Sequence, residues 1–240
     1  MNYVGKNISE MQGYVPGEQP QGGKFIKLNT NENPYPASER VGQAIRAVLD
    51  KSLIRYPDAT AAAFRIAAGE VFGVDPEWIL CGNGSDDILT ILTRAMVGEG
   101  ELLRLPTPSY ILYKTLACIQ GANSEEVPLD ANWQPTPQFY ESTPGLKLAF
   151  LPNPNSPSGT IVPRETILQL ADALPCPLLV DEAYADFAEF NCIDLVRENE
   201  KIMVSRTLSK GYGLAGLRFG FLIAQPQIIS ELHKVRDSYN

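Results

Sequence analysis

The sequence has little histidine, few cysteines and no long apolar run, and each shortage excludes a class of protein. Its 240 residues include one histidine, His233, and four dispersed cysteines without a Cys-x-x-Cys pair, so no usual zinc set can form. The same cysteine pattern is typical of a reducing compartment. No run approaches the roughly 18 apolar residues of a membrane span, and the N-terminus lacks the apolar core of a signal peptide. We expect a cytoplasmic protein with no metal site and no membrane contact.

Basic residues are also scarce. The chain carries 20 Lys+Arg against 28 Asp+Glu, a formal net charge of −8. Nucleic-acid-binding proteins present a basic patch, and no run of Lys or Arg interrupts this acidic excess. With 44% hydrophobic and 20% charged residues the composition is that of a globular protein. We therefore expect one or two folded domains and no nucleic-acid partner.

Short apolar segments alternate with amphipathic ones along most of the chain. Helices are predicted from Ser38, from Thr60 to Phe72 with Gly73 as the C-terminal cap, after Ser85, over 110–119, after Pro163 and after Pro226, with 231–240 still helical. Strands are predicted at 78–81, 102–105, 146–151, 178–181, 202–205 and 219–224. This alternation predicts an α/β fold with three αβα layers and a mainly parallel sheet.

Ligands of such sheets bind at the carboxyl ends of the strands, and two polar turns follow predicted strands there. The turn Gly82–Asp87 leads into a helix N-terminus, where free backbone amides form an anion site. It could equally be an ordinary turn with Ser85 as the helix N-cap. The turn Pro152–Gly159 could hold a ligand oxygen, or could simply be rich in turn-forming residues.

Two further strand ends carry charged residues. Asp181 ends an apolar strand, where a carboxylate is costly unless a cation or strong donor meets it, and Tyr184 follows three residues later. Lys210 lies in a loop rich in hydroxyls and glycine, with Arg218 eight residues on. An amine there can form a Schiff base, and the arginine can bind a phosphate. Asp181 could instead be a helix N-cap and Tyr184 a packing residue, and Lys210 could be a solvated surface charge.

The same loop formally matches the dinucleotide fingerprint Gly-x-Gly-x-x-Gly at positions 211, 213 and 216. A nicotinamide or flavin enzyme would place these glycines directly after a strand and before a helix. Here they lead into another apolar strand near Phe219. We therefore reject this interpretation.

The spacing of these motifs resembles the fold-type I pyridoxal-phosphate aminotransferases. The segments Lys27–Pro36, Arg55–Asp58, Thr207–Lys210 and Ala215–Arg218 narrow the resemblance to the histidinol-phosphate aminotransferase family. It covers essentially the whole chain. The activity it implies is an exchange of amino and oxo groups between histidinol phosphate and 2-oxoglutarate, a reaction of histidine biosynthesis that uses pyridoxal 5′-phosphate.

The resemblance also implies a role for each site residue. Lys210 would form the Schiff base and carry the proton, Asp181 would pair with the ring nitrogen, and Tyr184 would contact the cofactor oxygen O3′. Tyr110 would stack on the ring. The phosphate would be bound by Ser85, Asp86, Thr207, Ser209 and Arg218.

Further residues match family positions near the substrate or the partner subunit. Tyr56 would reach the cofactor phosphate of a neighbouring subunit, which implies a homodimer with shared sites. Tyr14, Asn31, Glu32 and Asn33 would lie near the substrate. Where many aminotransferases have an asparagine that donates to O3′, this chain has Ser156, so the donor is either Ser156 or Asn155.

The chain is shorter than members of that family, which continue into a second part of a small domain. We expect residues 1–50 to form an N-terminal arm with part of an incomplete small domain, and residues 51–240 the large cofactor-binding domain. Within the class, a threonine-phosphate decarboxylase or an aromatic or broad amino-acid aminotransferase remains an alternative. A fragment that binds the cofactor without turnover is another.

Overall fold

A seven-stranded sheet forms the centre of the protein. The computed structural model describes residues 3–13, 18, 22, 26–50 and 53–239. The strands are β1 Ile79–Gly82, β2 Leu102–Thr107, β3 Asn123–Pro128, β4 Leu146–Pro152, β5 Leu178–Asp181, β6 Ile202–Thr207 and β7 Gly220–Ile223. Their order across the sheet is β1-β7-β6-β5-β4-β2-β3.

Most neighbouring strands run parallel, as the sequence predicts. The strands from β3 through β2, β4 and β5 to β6 run parallel to one another, whereas β7 is antiparallel to both β6 and β1. In the register, Asp181 pairs with Pro152 on one side and with Ser205 on the other. The carboxyl ends of β4, β5 and β6 therefore meet at one edge of the sheet, and their side chains share one site.

Eight α-helices are found in the described residues. They are α1 Lys6–Glu10, α2 Glu39–Asp50, α3 Ala62–Phe72, α4 Ser85–Met96, α5 Leu112–Ile119, α6 Arg164–Ala173, α7 Leu195–Glu198 and α8 Pro226–Leu232. Helices α2, α3, α4, α5, α6 and α8 begin close to their predicted starts, α3 and α5 also end where predicted, and α1 and α7 were not predicted. Helix α3 ends as predicted: Gly73 adopts φ +65° and donates its backbone N–H to the carbonyl of Gly69.

The two faces of the sheet bury separate apolar clusters. Alternate residues of one strand point to opposite faces, so Leu178 and Val180 of β5 belong to one cluster and Leu179 to the other. The first cluster packs under α3, α6 and α7, and the second under α4, α5 and α8. This is the predicted three-layer αβα arrangement.

Strand β3 is absent from the sequence prediction. Its residues read Asn-Ser-Glu-Glu-Val-Pro, and Val127 alone among them is buried. An edge strand has one unpaired side and little buried surface, so it lacks the apolar pattern by which the interior strands are recognised.

Two other predictions need correction. Helix α8 ends at Leu232 rather than continuing to Asn240, because the backbone bonds from Lys234 and Val235 reach back only three residues, which tightens the chain into turns. Ser85 is the first residue of α4 and not its N-cap. Gly84 occupies that position with φ +91°, a conformation that glycine adopts without strain.

No helix in the described part of the chain is long and apolar enough to cross a membrane. In the same part of the chain, no group of three or more His, Cys, Asp or Glu side chains is arranged to hold a metal ion.

Candidate active site

A cavity of about 800 Å³ opens at the edge of the sheet where β4, β5 and β6 end. It is lined by Asn29, Thr30, Asn31, Glu32, Ser85, Asp86, Tyr110, Tyr113, Pro152, Pro154, Ser156, Asp181, Ala183, Tyr184, Thr207, Ser209, Lys210, Ala215, Gly216 and Arg218. Most of the residues predicted from the sequence are therefore brought together in one place.

Asp181 lies at the base of this cavity with 4% of its surface exposed. Its Oδ2 accepts a hydrogen bond from the Tyr113 hydroxyl at 2.7 Å, and its Oδ1 accepts one from the Ser205 hydroxyl at 2.9 Å. Burial raises the pKa of the carboxyl group, and the two hydroxyl donors oppose that rise. No ion pair to Asp181 is found among the described residues, so the group has donors but no cation.

Lys210 directs its amine into the cavity from the loop that follows β6. Its Nζ donates a hydrogen bond to the backbone carbonyl of Thr30 at 2.8 Å and lies 5.7 Å from the centre of the Tyr184 ring. The loop is held from the N-terminal side, because the Asn33 amide donates to the carbonyls of Lys210 and Gly211, each at 3.1 Å. Lys210 is therefore half-buried and hydrogen-bonded within the cavity, which argues against the alternative of a solvated surface lysine.

The turn before α4 lies against Arg218. A Cβ at Gly84 would be 2.7 Å from Nη2 of Arg218, and a Cβ at Gly220 would be 2.5 Å from the backbone nitrogen of Ser85. Glycine at both positions lets the guanidinium and strand β7 approach the helix N-terminus closely. The free amides, the helix dipole and the arginine together form a site for an anion.

Asp86 connects this anion site to the aromatic wall of the cavity. Its Oδ2 lies 3.4 Å from Nη2 of Arg218, and its Oδ1 accepts a hydrogen bond from the Tyr110 hydroxyl at 3.2 Å. Thr207 and Ser209 add two hydroxyl groups to the cavity lining. The Thr207 hydroxyl donates to Ser209 Oγ at 3.0 Å and accepts from the Ser209 backbone N–H at 3.1 Å. Both side chains line the cavity.

Of the two candidate donors at positions 155 and 156, only Ser156 is among the residues that line the cavity. The Asn155 amide instead donates to Ser158 Oγ at 2.9 Å and to the carbonyl of Pro108 at 3.4 Å. Asn155 thus braces the turn, and the geometry favours Ser156 as the side chain that faces a ligand.

Residues 29–32 also line the cavity. The Asn31 amide donates to the Tyr184 hydroxyl oxygen at 3.0 Å. Glu32 forms an ion pair with Lys27 at 2.8 Å, and the hydrogen bond from Lys27, assisted by the nearby charge of Lys210, lowers the pKa of Glu32. Asn33 lies outside the cavity wall and holds the Lys210 loop.

Two predicted residues remain. Tyr14 lies outside the described residues. Tyr56 is 80% exposed and stacks on Tyr239 with ring centres 4.5 Å apart, away from the cavity of its own chain.

Tyr113 and Thr30 were not predicted from the sequence. Tyr113 follows Tyr110 by three residues within the segment 110–119 predicted as a helix, a spacing that places two side chains on one helical face, so the sequence contained a signal for it. Thr30 contributes a backbone carbonyl, which carries no signature in the residue type.

The fold is that of an aminotransferase. The chain belongs to the family "Aminotransferase class I and II", whose model matches residues 23–240. This confirms the predicted fold class.

Individual relatives narrow the comparison. The chain is 62% identical over 234 residues to a histidinol-phosphate aminotransferase from Rhodopirellula baltica, covering 97% of this chain and 65% of that protein. It is 50% identical over 241 residues to a histidinol-phosphate aminotransferase from Syntrophotalea carbinolica, covering 100% of this chain and 69% of the relative. These relatives confirm the resemblance to that family. The chain spans about two thirds of the length of the curated relatives it matches.

A solved structure of the same family has a similar fold. The fold is similar to histidinol-phosphate aminotransferase from Sinorhizobium meliloti in complex with pyridoxal-5′-phosphate, with a TM-score of 0.79 and 26% identity over 87% of this chain and 58% of that one.

Proposed function

We propose that the protein binds pyridoxal 5′-phosphate in the cavity and transfers an amino group from histidinol phosphate to 2-oxoglutarate. The observation that carries this proposal is the convergence of one amine, one buried carboxylate and one anion site on a single cavity at the strand ends. The Rhodopirellula and Syntrophotalea relatives, named for this substrate, support its choice.

The residues present fit the proposed cofactor. Asp181 is a buried carboxylate with two hydroxyl donors, and a protonated ring nitrogen would supply the cation that it lacks. The turn at Gly84 and Ser85, with Arg218, Thr207 and Ser209, offers the amide, hydroxyl and guanidinium donors that a phosphate needs. Each end of the cofactor therefore has a chemically matched partner.

Bound pyridoxal phosphate supplies an electron sink through its ring. Asp181 would hold the proton on the ring nitrogen, which the sink requires. The Tyr184 hydroxyl, whose oxygen already accepts the Asn31 amide, would donate a hydrogen bond to O3′. Lys210 would hold the cofactor through its amine and would take up and return the proton at the substrate α-carbon.

We further propose a homodimer in which Tyr56 contributes to the partner's site. Its 80% exposure supports this role. Mixing Lys210→Ala chains with Tyr56→Phe chains, each of which we expect to lose activity when alone, tests it. In a shared-site dimer some hybrids regain one intact site and activity rises, whereas independent subunits give none.

The experiment for the main proposal begins with the absorbance of the purified chain mixed with pyridoxal phosphate. We expect a band that Lys210→Ala removes and that Lys234→Ala, a surface lysine paired with Glu231, retains. Histidinol phosphate should then convert bound pyridoxal phosphate to pyridoxamine phosphate. Conversion only by aromatic amino acids, or decarboxylation of threonine phosphate, would assign the site to another member of the class. A band without any conversion would identify a binding chain without turnover.

A further inference from the structure

Tyr113 is a fully buried tyrosine that lines the cavity and has no role in the proposed chemistry. Its ring is fixed by two aromatic neighbours, Tyr110 at 5.6 Å and Phe150 at 5.0 Å between ring centres, both in edge-on contact. Because a buried tyrosine has few alternative rotamers in such packing, the position of its hydroxyl is set by the fold.

The hydroxyl of Tyr113 is committed to Asp181. It donates to Oδ2 at 2.7 Å, a short bond typical of an ionised acceptor. Ser205, on strand β6, donates to the other oxygen at 2.9 Å. A side-chain donor on each oxygen, from two different elements, fixes the plane of the carboxylate, and the backbone N–H of Ala183 is a further donor. The carboxylate held in this way lines the cavity.

These two bonds also act on the charge of Asp181. Burial favours its neutral form, and so does the nearby Asp86 carboxylate. Hydrogen bonds from Tyr113 and Ser205 favour the ionised form. Without a cation nearby, the hydroxyls are the side-chain groups described here that keep the carboxylate ready to accept one.

We propose that Tyr113 is a positioning residue that orients Asp181 and keeps it ionised for the ring nitrogen of the cofactor. This rests on the proposed function. The consequence is specific: Tyr113 should matter for a ligand whose ring contains that nitrogen, and not for a ligand of the same shape that lacks it.

The test is a comparison of two ligands on the full chain. Dissociation constants are measured by titration for pyridoxal 5′-phosphate and for its 1-deaza analogue, in which a carbon replaces the ring nitrogen. Tyr113→Phe keeps the ring and removes only the hydroxyl. We expect it to weaken binding of pyridoxal phosphate about tenfold and to change binding of the analogue less than twofold. Ser205→Ala should act in the same direction.

The matched control is Tyr140→Phe, a half-buried tyrosine packed against the other face of the sheet, which should change neither constant. Equal losses for both ligands in Tyr113→Phe would show a merely structural role and overturn the inference, and so would the absence of any loss. If the wild-type chain bound neither ligand, the proposed function itself would fail. The two failures are therefore distinguishable.

Discussion

Gly84 and Arg218 are so close that a Cβ at position 84 would lie 2.7 Å from an arginine nitrogen. The contact joins the start of α4 to the loop before β7, which are 134 residues apart in the sequence. Arg218 itself adopts φ +50°, so its backbone is also held in the left-handed region. The anion site thus depends on backbone geometry at two positions.

Gly84→Ala should disrupt this contact. The substitution strains a residue at φ +91° and displaces the guanidinium, so we expect a loss of roughly 1 kcal/mol in the free energy of unfolding and at least tenfold weaker binding of pyridoxal phosphate. Gly100→Ala is the matched control, because Gly100 has φ +76° and open space around its Cβ position. It should lose similar stability in urea unfolding and retain affinity. Equal affinities for the two variants would contradict this account.

Asp181→Asn should stabilise the protein in the absence of cofactor. Burial raises the pKa of Asp181 in the folded state, so the folded chain binds the carboxyl proton more tightly than the unfolded chain does. The free energy of unfolding therefore falls as pH rises from the ordinary aspartate pKa to the raised one. The variant should therefore gain on the order of 1 kcal/mol over wild type at pH 7. The gain should vanish in acid, where both side chains are neutral. Urea unfolding between pH 4 and pH 8 measures it.

Asp194→Asn provides a control of opposite sign. The hydrogen bond from Arg164 lowers the pKa of Asp194, so its contribution to stability is present above the ordinary aspartate pKa and is lost as pH falls. This variant should be less stable than wild type at pH 7 and should approach it in acid. If the stability difference from wild type changed with pH in the same direction for both variants, the opposite pKa shifts of Asp181 and Asp194 would be refuted.

Arg206 should be required for folding. Its guanidinium pairs with the fully buried Glu182 carboxylate at 2.9 Å and also with Asp186. The Asp186 side chain occupies the space that a Cβ at Gly211 would need. Arg206→Met leaves a buried charge unpaired, and we expect a loss of about 3–5 kcal/mol in urea unfolding. Adding Glu182→Gln should restore part of it. Lys234→Met, which breaks an exposed pair, should cost less than about 1 kcal/mol.

Ser156 and Asn155 should respond differently to truncation. Because Ser156 lines the cavity, Ser156→Ala should remove a donor from O3′ and shift upward the pH at which the absorbance of bound pyridoxal phosphate changes. Asn155→Ala should lower the thermal midpoint and leave that pH unchanged, since its amide braces the turn. A shift in Asn155→Ala alone would reverse the assignment.

Much of the fold could be predicted from the sequence because buried strands have a plain apolar signature. The segments 146–151, 178–181 and 202–205 correspond to β4, β5 and β6. Strand β3 could not be recognised, since an exposed edge strand need not be apolar. The antiparallel direction of β7 was also beyond reach, because apolar patterning does not report strand direction.

In the site, too, residue types could be recognised from the sequence, whereas contacts that depend on placement could not. Lys210, Asp181 and Arg218 could be found because charged groups at strand ends are unusual. The acceptor of the Lys210 amine could not, since it is the backbone carbonyl of Thr30, and carbonyls are common to all residues. Nor could the sequence choose between Ser156 and Asn155, since both side chains can donate a hydrogen bond and only their placement shows which one lines the cavity.

The isolated carboxylate of Asp181 has a consequence for the protein's lifetime in a cell. A chain that buries a negative charge without a counter-ion is less stable alone than with a cationic ligand, and a ligand that binds only the folded state adds RT ln(1 + [L]/Kd) to stability. Molecules that remain unloaded would unfold more often and be degraded sooner. The supply of the vitamin from which the cofactor is made would then govern how much of this protein a cell retains.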